Sequence, residues 1–258
     1  MKKRLISAAV MLIIFIPLII IGSFPFEIGI TVVSLLAFRE LISIYEKEIK
    51  IPIIVKVLSY LSVGLLVMCA ESLLPCLALV LLFNFIPIIF INKNEYNYSN
   101  AVGLFGVIIL VGLNFYILCS IRMSTLEEFI YLVLITILTD TFAYIGGKLL
   151  GKHKLIPKVS PNKTIEGSII GSMAGTLVPC FVYLFFVNPD INIAILIIMT
   201  LIISIFGQLG DLLFSSIKRY YKVKDFSNII PGHGGILDRF DSVLIASIAY
   251  TVIKLLFL

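Results

Sequence analysis

Between Ser215 and Asp241 the chain reads S-S-I-K-R-Y-Y-K-V-K-D-F-S-N-I-I-P-G-H-G-G-I-L-D-R-F-D. Lys218, Arg219, Lys222, Lys224, Asp225, His233, Asp238, Arg239 and Asp241 crowd into this one stretch of a largely apolar chain. Charge beside a bilayer is costly, so such a cluster marks a functional site. Lys218, Arg219, Lys222 and Lys224 suit a phosphate-rich ligand. Asp238 and Asp241 stand three apart and share one face if that segment is helical. Their oxygens suit a divalent metal. Pro231-Gly232-His233-Gly234-Gly235 reads as a turn whose backbone a phosphate can approach closely. His233, between glycines and next to carboxylates, reads as a ligand contact. His153 has no such setting and is given no role.

Two further elements carry polar chemistry. Asp140 lies well inside an apolar run, where an ionised carboxylate is expensive. It either pairs with a neighbouring helix or faces a polar cavity, there to orient a metal ligand or a lysine. Downstream, Ser160-Pro161-Asn162-Lys163-Thr164 precedes an expected helix start. Free N–H groups there, with Ser160 and Lys163 alongside, would bind an anion. Plain N-capping, with Glu166 favourable to the helix dipole, is the competing reading. The other element is Gly207-Gln208-Leu209-Gly210-Asp211. Gln208 and Asp211 share a face, and the two glycines permit close helix approach. Asp211 comes just before the basic stretch and Asp238 just after it. A hairpin between them could bring both carboxylates to one metal, with phosphate oxygens completing a Mg²⁺ shell.

These residues need a membrane scaffold. The chain has 258 residues, is 60% hydrophobic and 14% charged, and its mean hydropathy is +1.13. A soluble domain would be about half apolar and a quarter charged. The reading is an all-α polytopic membrane protein. At roughly 20 apolar residues per crossing, about nine spans emerge: 5–22, 26–45, 51–70, 73–91, 101–121, 128–150, 165–187, 191–214 and 236–257. The Lys2-Lys3-Arg4 start with its long apolar run reads as the first span rather than a signal peptide. Glu71 and Pro75 mark a very short turn between the third and fourth. With the N-terminus cytoplasmic, all the lysines and arginines except Arg122 and Lys254 fall on the inner side. The C-terminus is then outside, and polar loops 148–164 and 215–235 face the cytoplasm. Residues 1–121 (about five spans) form an N-terminal membrane part, and 122–258 (about four) a catalytic one. The net charge of +5 is spread over short loops, with no extended basic face for nucleic acid. Cys69, Cys76, Cys119 and Cys180 read as buried small hydrophobes rather than a disulfide framework or metal site.

The stretch from Ser215 to Asp241 closely resembles the defining motif of the phosphatidate cytidylyltransferases, or CDP-diacylglycerol synthases. That pattern is S-x-[apolar]-K-R, four residues, K-D, then P-x-H-G-G-[apolar]-x-D-R-[apolar]-D. It is met at Ser215, Ile217, Lys218, Arg219, Lys224, Asp225, Pro231, His233, Gly234, Gly235, Ile236, Asp238, Arg239, Phe240 and Asp241. The family's S-P-x-K-T-x-E-G element is matched at Ser160 to Gly167, and its G-D aspartate at Asp211. The resemblance is strong over about 140–245, while the first 120 residues share only hydrophobic spans.

The resemblance implies that CTP and phosphatidic acid give CDP-diacylglycerol and pyrophosphate for phospholipid synthesis, with Mg²⁺ and a homodimer. It implies an active site at the cytoplasmic side of the membrane and a paired metal centre, the second ion monovalent or divalent. The family's aspartates map onto Asp211 and Asp238. On this reading Lys163, Lys218 and Arg219 hold phosphates, Ser160, His233, Gly234 and Gly235 add contacts, and Asp140 and Asp241 orient groups or add ligands. Lys222 and Lys224 attract anionic headgroups. A bacterial inner membrane, with its lipids as partners, is the expected setting. A CTP-dependent polyprenol kinase would use a similar basic loop and acidic ligands. A transporter would place its charges nearer the bilayer midplane.

Overall fold

The computed structural model describes residues 2–69, 73–232 and 234–257, with side chains from residue 9 onward. The helices are α1 (Lys2–Ile21), α2 (Ser23–Tyr45), α3 (Ile53–Val67), α4 (Leu73–Phe85), α5 (Pro87–Phe90), α6 (Tyr98–Ser124), α7 (Leu126–Leu150), α8 (Ile165–Phe186), α9 (Ile193–Tyr220) and α10 (Leu237–Phe257). Among the described residues one hairpin, β1 (Lys154–Ile156) with β2 (Ser160–Thr164), accompanies them. Each of the nine apolar segments is helical. The fourth breaks into α4 and α5 at Pro87, which lacks the N–H that would continue the ladder. Among the described residues, seven helices are long and apolar enough to cross a membrane, counting α4 with α5. The apolar parts Ala9–Ile21 and Ile53–Val67 are shorter. The 15 residues of α3 rise only about 22 Å, against a hydrocarbon layer of about 30 Å. The chain is an all-α polytopic membrane protein.

The fold divides into two compact units, Met1–Ser120 with Asp225–Asp238, and Ile121–Lys224 with Arg239–Leu258. In the first, α2, α3 and α6 bury Phe38, Val55, Val63, Leu66, Leu104 and Phe115. Tyr96 is fully buried and donates to the Asn84 carbonyl at 3.0 Å. Burial drives its phenol well above its ordinary pKa, so it stays a donor. One expectation fails here. Cys69 and Cys76 are joined in a disulfide, and are not buried small hydrophobes. Seven residues apart in sequence, they have Cα atoms 6.7 Å apart, within bridging range. Cys119 and Cys180 are buried free thiols, as expected. Glu71, the expected turn residue, lies outside the described residues.

In the second unit α7 and α8 run in close contact. Gly167, Gly171 and Gly175 recur every fourth residue along α8 and face α7. A Cβ on Gly171 would lie 2.5 Å from the Thr139 carbonyl oxygen. Helix pairs are also stitched by hydroxyls, Thr139 to Ser204 at 2.7 Å and Tyr131 to Thr200 at 2.6 Å.

Two loop expectations are also corrected. The stretch 148–164 is not irregular: α7 continues to Leu150, and the hairpin pairs Lys154 with Thr164 and Ile156 with Ser160. Pro161 is tolerated because a two-stranded hairpin leaves edges that need no donor. The stretch 215–235 is not all loop either. Helix α9 runs on to Tyr220, so Ser215, Lys218 and Arg219 are helical. Cations in a last turn suit the helix dipole. The helix closes with Lys222 N–H on the Arg219 carbonyl at 3.1 Å and Val223 N–H on that of Lys218 at 2.9 Å. Lys222 adopts the left-handed φ of 55° that this ending requires.

Candidate functional site

The second unit gathers charge around the end of α9. Thr164 caps α8 by accepting from Gly167 N–H at 3.1 Å, so the N-capping reading of that helix start is realised. Next to it in β2, the Lys163 ammonium meets Asp211 at 2.6 Å. Ser215, one turn along α9, donates to the other Asp211 oxygen at 3.1 Å. Asp140 on α7 is exposed, and lies within electrostatic reach of Lys163 and Asp211. Asp241 on α10 is in turn within reach of Asp211, Asp140 and Lys218. Lys218 is buried. Gly210 makes this assembly possible, since a Cβ there would stand 2.6 Å from the Asp241 carbonyl oxygen.

The neighbouring polar residues hold the scaffold. Gln208, three before Asp211, is turned to α8. It accepts from the Ser168 hydroxyl at 2.6 Å and donates to Ser172 at 2.7 Å. Arg219 is exposed and bridges, donating to the Val159 carbonyl at 3.3 Å and to that of Val223 at 3.0 Å. It thereby ties the hairpin to the end of α9. Ser160 opens β2 opposite Ile156. His153, given no role from sequence, places Nδ1 2.6 Å from Glu166. Glu166 also accepts from the backbone N–H groups of Lys152 and His153, at 3.1 and 3.2 Å. These bonds clasp the hairpin to the start of α8.

The glycine-rich turn and Asp238 belong to the first unit. One Asp238 oxygen accepts from Phe226 N–H at 3.0 Å and Gly235 N–H at 2.9 Å. Gly232 and Gly234 have φ of 80° and 85°, the left-handed geometry that favours glycine. Ile230 N–H closes the turn on the Gly234 carbonyl at 3.0 Å. His233 lies outside the described residues. The motif spacing also misses a residue. Glu40 on α2 is 1% exposed. It accepts from the Ser227 hydroxyl at 2.6 Å, Ile236 N–H at 2.8 Å and Leu237 N–H at 2.9 Å. Its signal was a carboxylate inside an apolar segment, the feature that also marks Asp140.

Carboxylates outnumber ammonium groups around Asp211, and their oxygens are hard donors. Both properties fit a Mg²⁺ ion. Among the described residues no group of three His, Cys, Asp or Glu side chains gathers as a metal cage. The fit is therefore to an ion whose shell is completed by phosphate oxygens and water. Cations packed among such carboxylates equip the site to bind and orient phosphates.

Comparison with known proteins agrees with this chemistry. The model of the cytidylyltransferase family matches residues 2–257. The phosphatidate cytidylyltransferase of Staphylococcus haemolyticus strain JCSC1435 is 39% identical over 252 residues, 95% of each chain. That of Staphylococcus aureus strain COL is 39% identical over 253 residues, again 95% of each. That of Staphylococcus epidermidis strain RP62A is 37% identical over 252 residues at the same coverage.

Proposed function

The chain belongs to the cytidylyltransferase family, and on that footing we propose that it transfers the cytidylyl group of CTP to phosphatidic acid, giving CDP-diacylglycerol and pyrophosphate. Its relatives named for this reaction align along 95% of the chain. The observation that carries the reading is the Lys163–Asp211 pair at 2.6 Å, which joins the Ser160–Gly167 element to the aspartate that precedes the basic stretch. A phosphatidate oxygen attacks the α-phosphorus of CTP, and the bond to pyrophosphate breaks. The nucleophile is already an anion, so positioning and charge supply most of the catalysis. Lys163 and Lys218 bind and orient phosphates, with Arg219 holding the hairpin and offering further donors. Ser160, His233, Gly234 and Gly235 add polar contacts, and Asp140 and Asp241 orient the groups around Asp211. Asp211 and Asp238 would hold Mg²⁺, which when bound neutralises charge on the triphosphate. A second ion and a homodimer complete the reading.

The same reading sets the N-terminus and the site on the cytoplasmic side of a bacterial inner membrane. The distribution of lysine and arginine supports it, and so does the Cys69–Cys76 disulfide. With the N-terminus inside, that disulfide falls on the outer side, where disulfides persist. The relatives with this name are bacterial, which is consistent with a bacterial setting.

The test supplies detergent-purified protein with α-labelled CTP, phosphatidic acid and Mg²⁺. Label should enter the lipid phase as pyrophosphate appears. Asp238→Asn should cut the rate by about 10²-fold or more and keep its helical circular dichroism. Full activity in that variant would remove Asp238 from the metal assignment. If no lipid is labelled, and a polyprenol added in place of phosphatidic acid is phosphorylated as CDP is released, kinase would replace transferase.

A further inference from the structure

We propose that Glu40 is a positioning residue, whose buried carboxylate sets the glycine-rich turn and thereby Asp238. The inference rests on the transferase reading for its kinetic consequence, though not for its structural one. Oxygen Oε1 of Glu40 accepts from Ser227 at one end of the turn and from Ile236 N–H at the other. Oxygen Oε2 accepts from Leu237 N–H, the first residue of α10. A single carboxylate thus closes a segment of ten residues, Ser227 to Ile236.

Asp238 makes an interleaved closure, holding Phe226 N–H and Gly235 N–H on one oxygen. Both carboxylates sit at the N-terminus of α10, where the helix dipole and unpaired N–H groups favour negative charge. Hydrogen bonds to an ionised acceptor are about twice as strong as neutral ones. The sequence accommodates this fit. A Cβ on Gly235 would come 2.7 Å from the Glu40 carboxylate, so glycine is what lets the carboxylate reach the backbone. If Glu40 is removed, the bonds that fasten the two ends of the segment to a carboxylate are those of Asp238, beside the internal closure of Ile230 on Gly234. Asp238 then has to hold the loop while it serves substrate or metal. The effect belongs on turnover and Mg²⁺ requirement, because Glu40 acts through Asp238.

Glu40→Gln keeps the shape but replaces one acceptor oxygen with an NH₂ group that faces donors. It should lower kcat by about tenfold to hundredfold and raise the half-activating Mg²⁺ concentration, with KM for phosphatidic acid little changed. Hydrogen exchange of peptides covering 226–237 should accelerate, while those from α7 and α8 stay protected. Ser227→Ala, which deletes one of the three bonds, should move every readout the same way by less. It keeps the test available if Glu40→Gln folds poorly. Unchanged exchange at 226–237 in both variants overturns the proposal. So does a loss of activity accompanied by faster exchange throughout the protein with no change in Mg²⁺ dependence. If the wild type itself labels no lipid, the transferase reading fails, and the exchange measurement still decides the role of Glu40.

Discussion

At the scale of single residues, the Lys163–Asp211 pair at 2.6 Å is the contact on which the site turns. Both side chains are about a quarter exposed, so the ion pair itself adds little stability. On the proposed reading its value lies in keeping an ammonium group and a carboxylate poised where phosphates would bind. Lys163→Met should cost about 10²-fold in kcat/KM for CTP, and Asp211→Asn a similar factor. Residues acting as one unit are not additive. The Lys163→Met/Asp211→Asn double variant should therefore be no worse than the poorer single one. Penalties that multiply would mean that the two act separately. These residues were legible because motif spacing marks them. Glu40 was not, since its partners are backbone N–H groups almost two hundred residues along the chain, and no local pattern reports such donors.

Element by element, the apolar runs foretold helices well, because a span must satisfy its backbone internally. What they could not foretell were the places where the chain stops being apolar without ceasing to be regular. The hairpin at 154–164 and the last turns of α9 are polar segments held by the Glu166 clasp and the Arg219 bridge. The α7–α8 contact was legible only as glycine spacing, and its tightness depends on backbone meeting backbone. Gly171→Ala forces a Cβ against the Thr139 carbonyl oxygen, so one helix must shift. The expected loss is about 1–3 kcal/mol, seen as a lower thermal midpoint in detergent. Gly64 on α3 is the matched control, with nothing within 4 Å of its added Cβ. There alanine should be neutral or slightly stabilising. Equal midpoints for the two variants would sink the close-packing account.

For the whole molecule the open quantity is how many helices cross, and the charges decide which count is self-consistent. If α1 and α3 did not cross, the stretch joining α2 to α3 and the first turn of α3 would lie outside, carrying Lys47, Lys50 and Lys56 against the positive-inside bias. If both cross, those lysines return to the cytoplasmic side, and Cys69–Cys76 stays on the oxidising one. On the proposed topology nine crossings would reconcile the lysines with the disulfide, and α3 would pass with the help of flanking residues or local thinning of the bilayer. The cysteines make this measurable. Cys119 and Cys180 are buried and Cys69–Cys76 is oxidised, so intact cells should take up no membrane-impermeant maleimide. An impermeant reductant should expose Cys69 and Cys76 to the label from outside. Lys50→Cys and Lys222→Cys, both at exposed positions, should react only after permeabilisation. Labelling of Lys50→Cys in intact cells would reduce the count to seven. Labelling of Lys222→Cys in intact cells would invert the topology and put the basic stretch out of reach of cytoplasmic CTP.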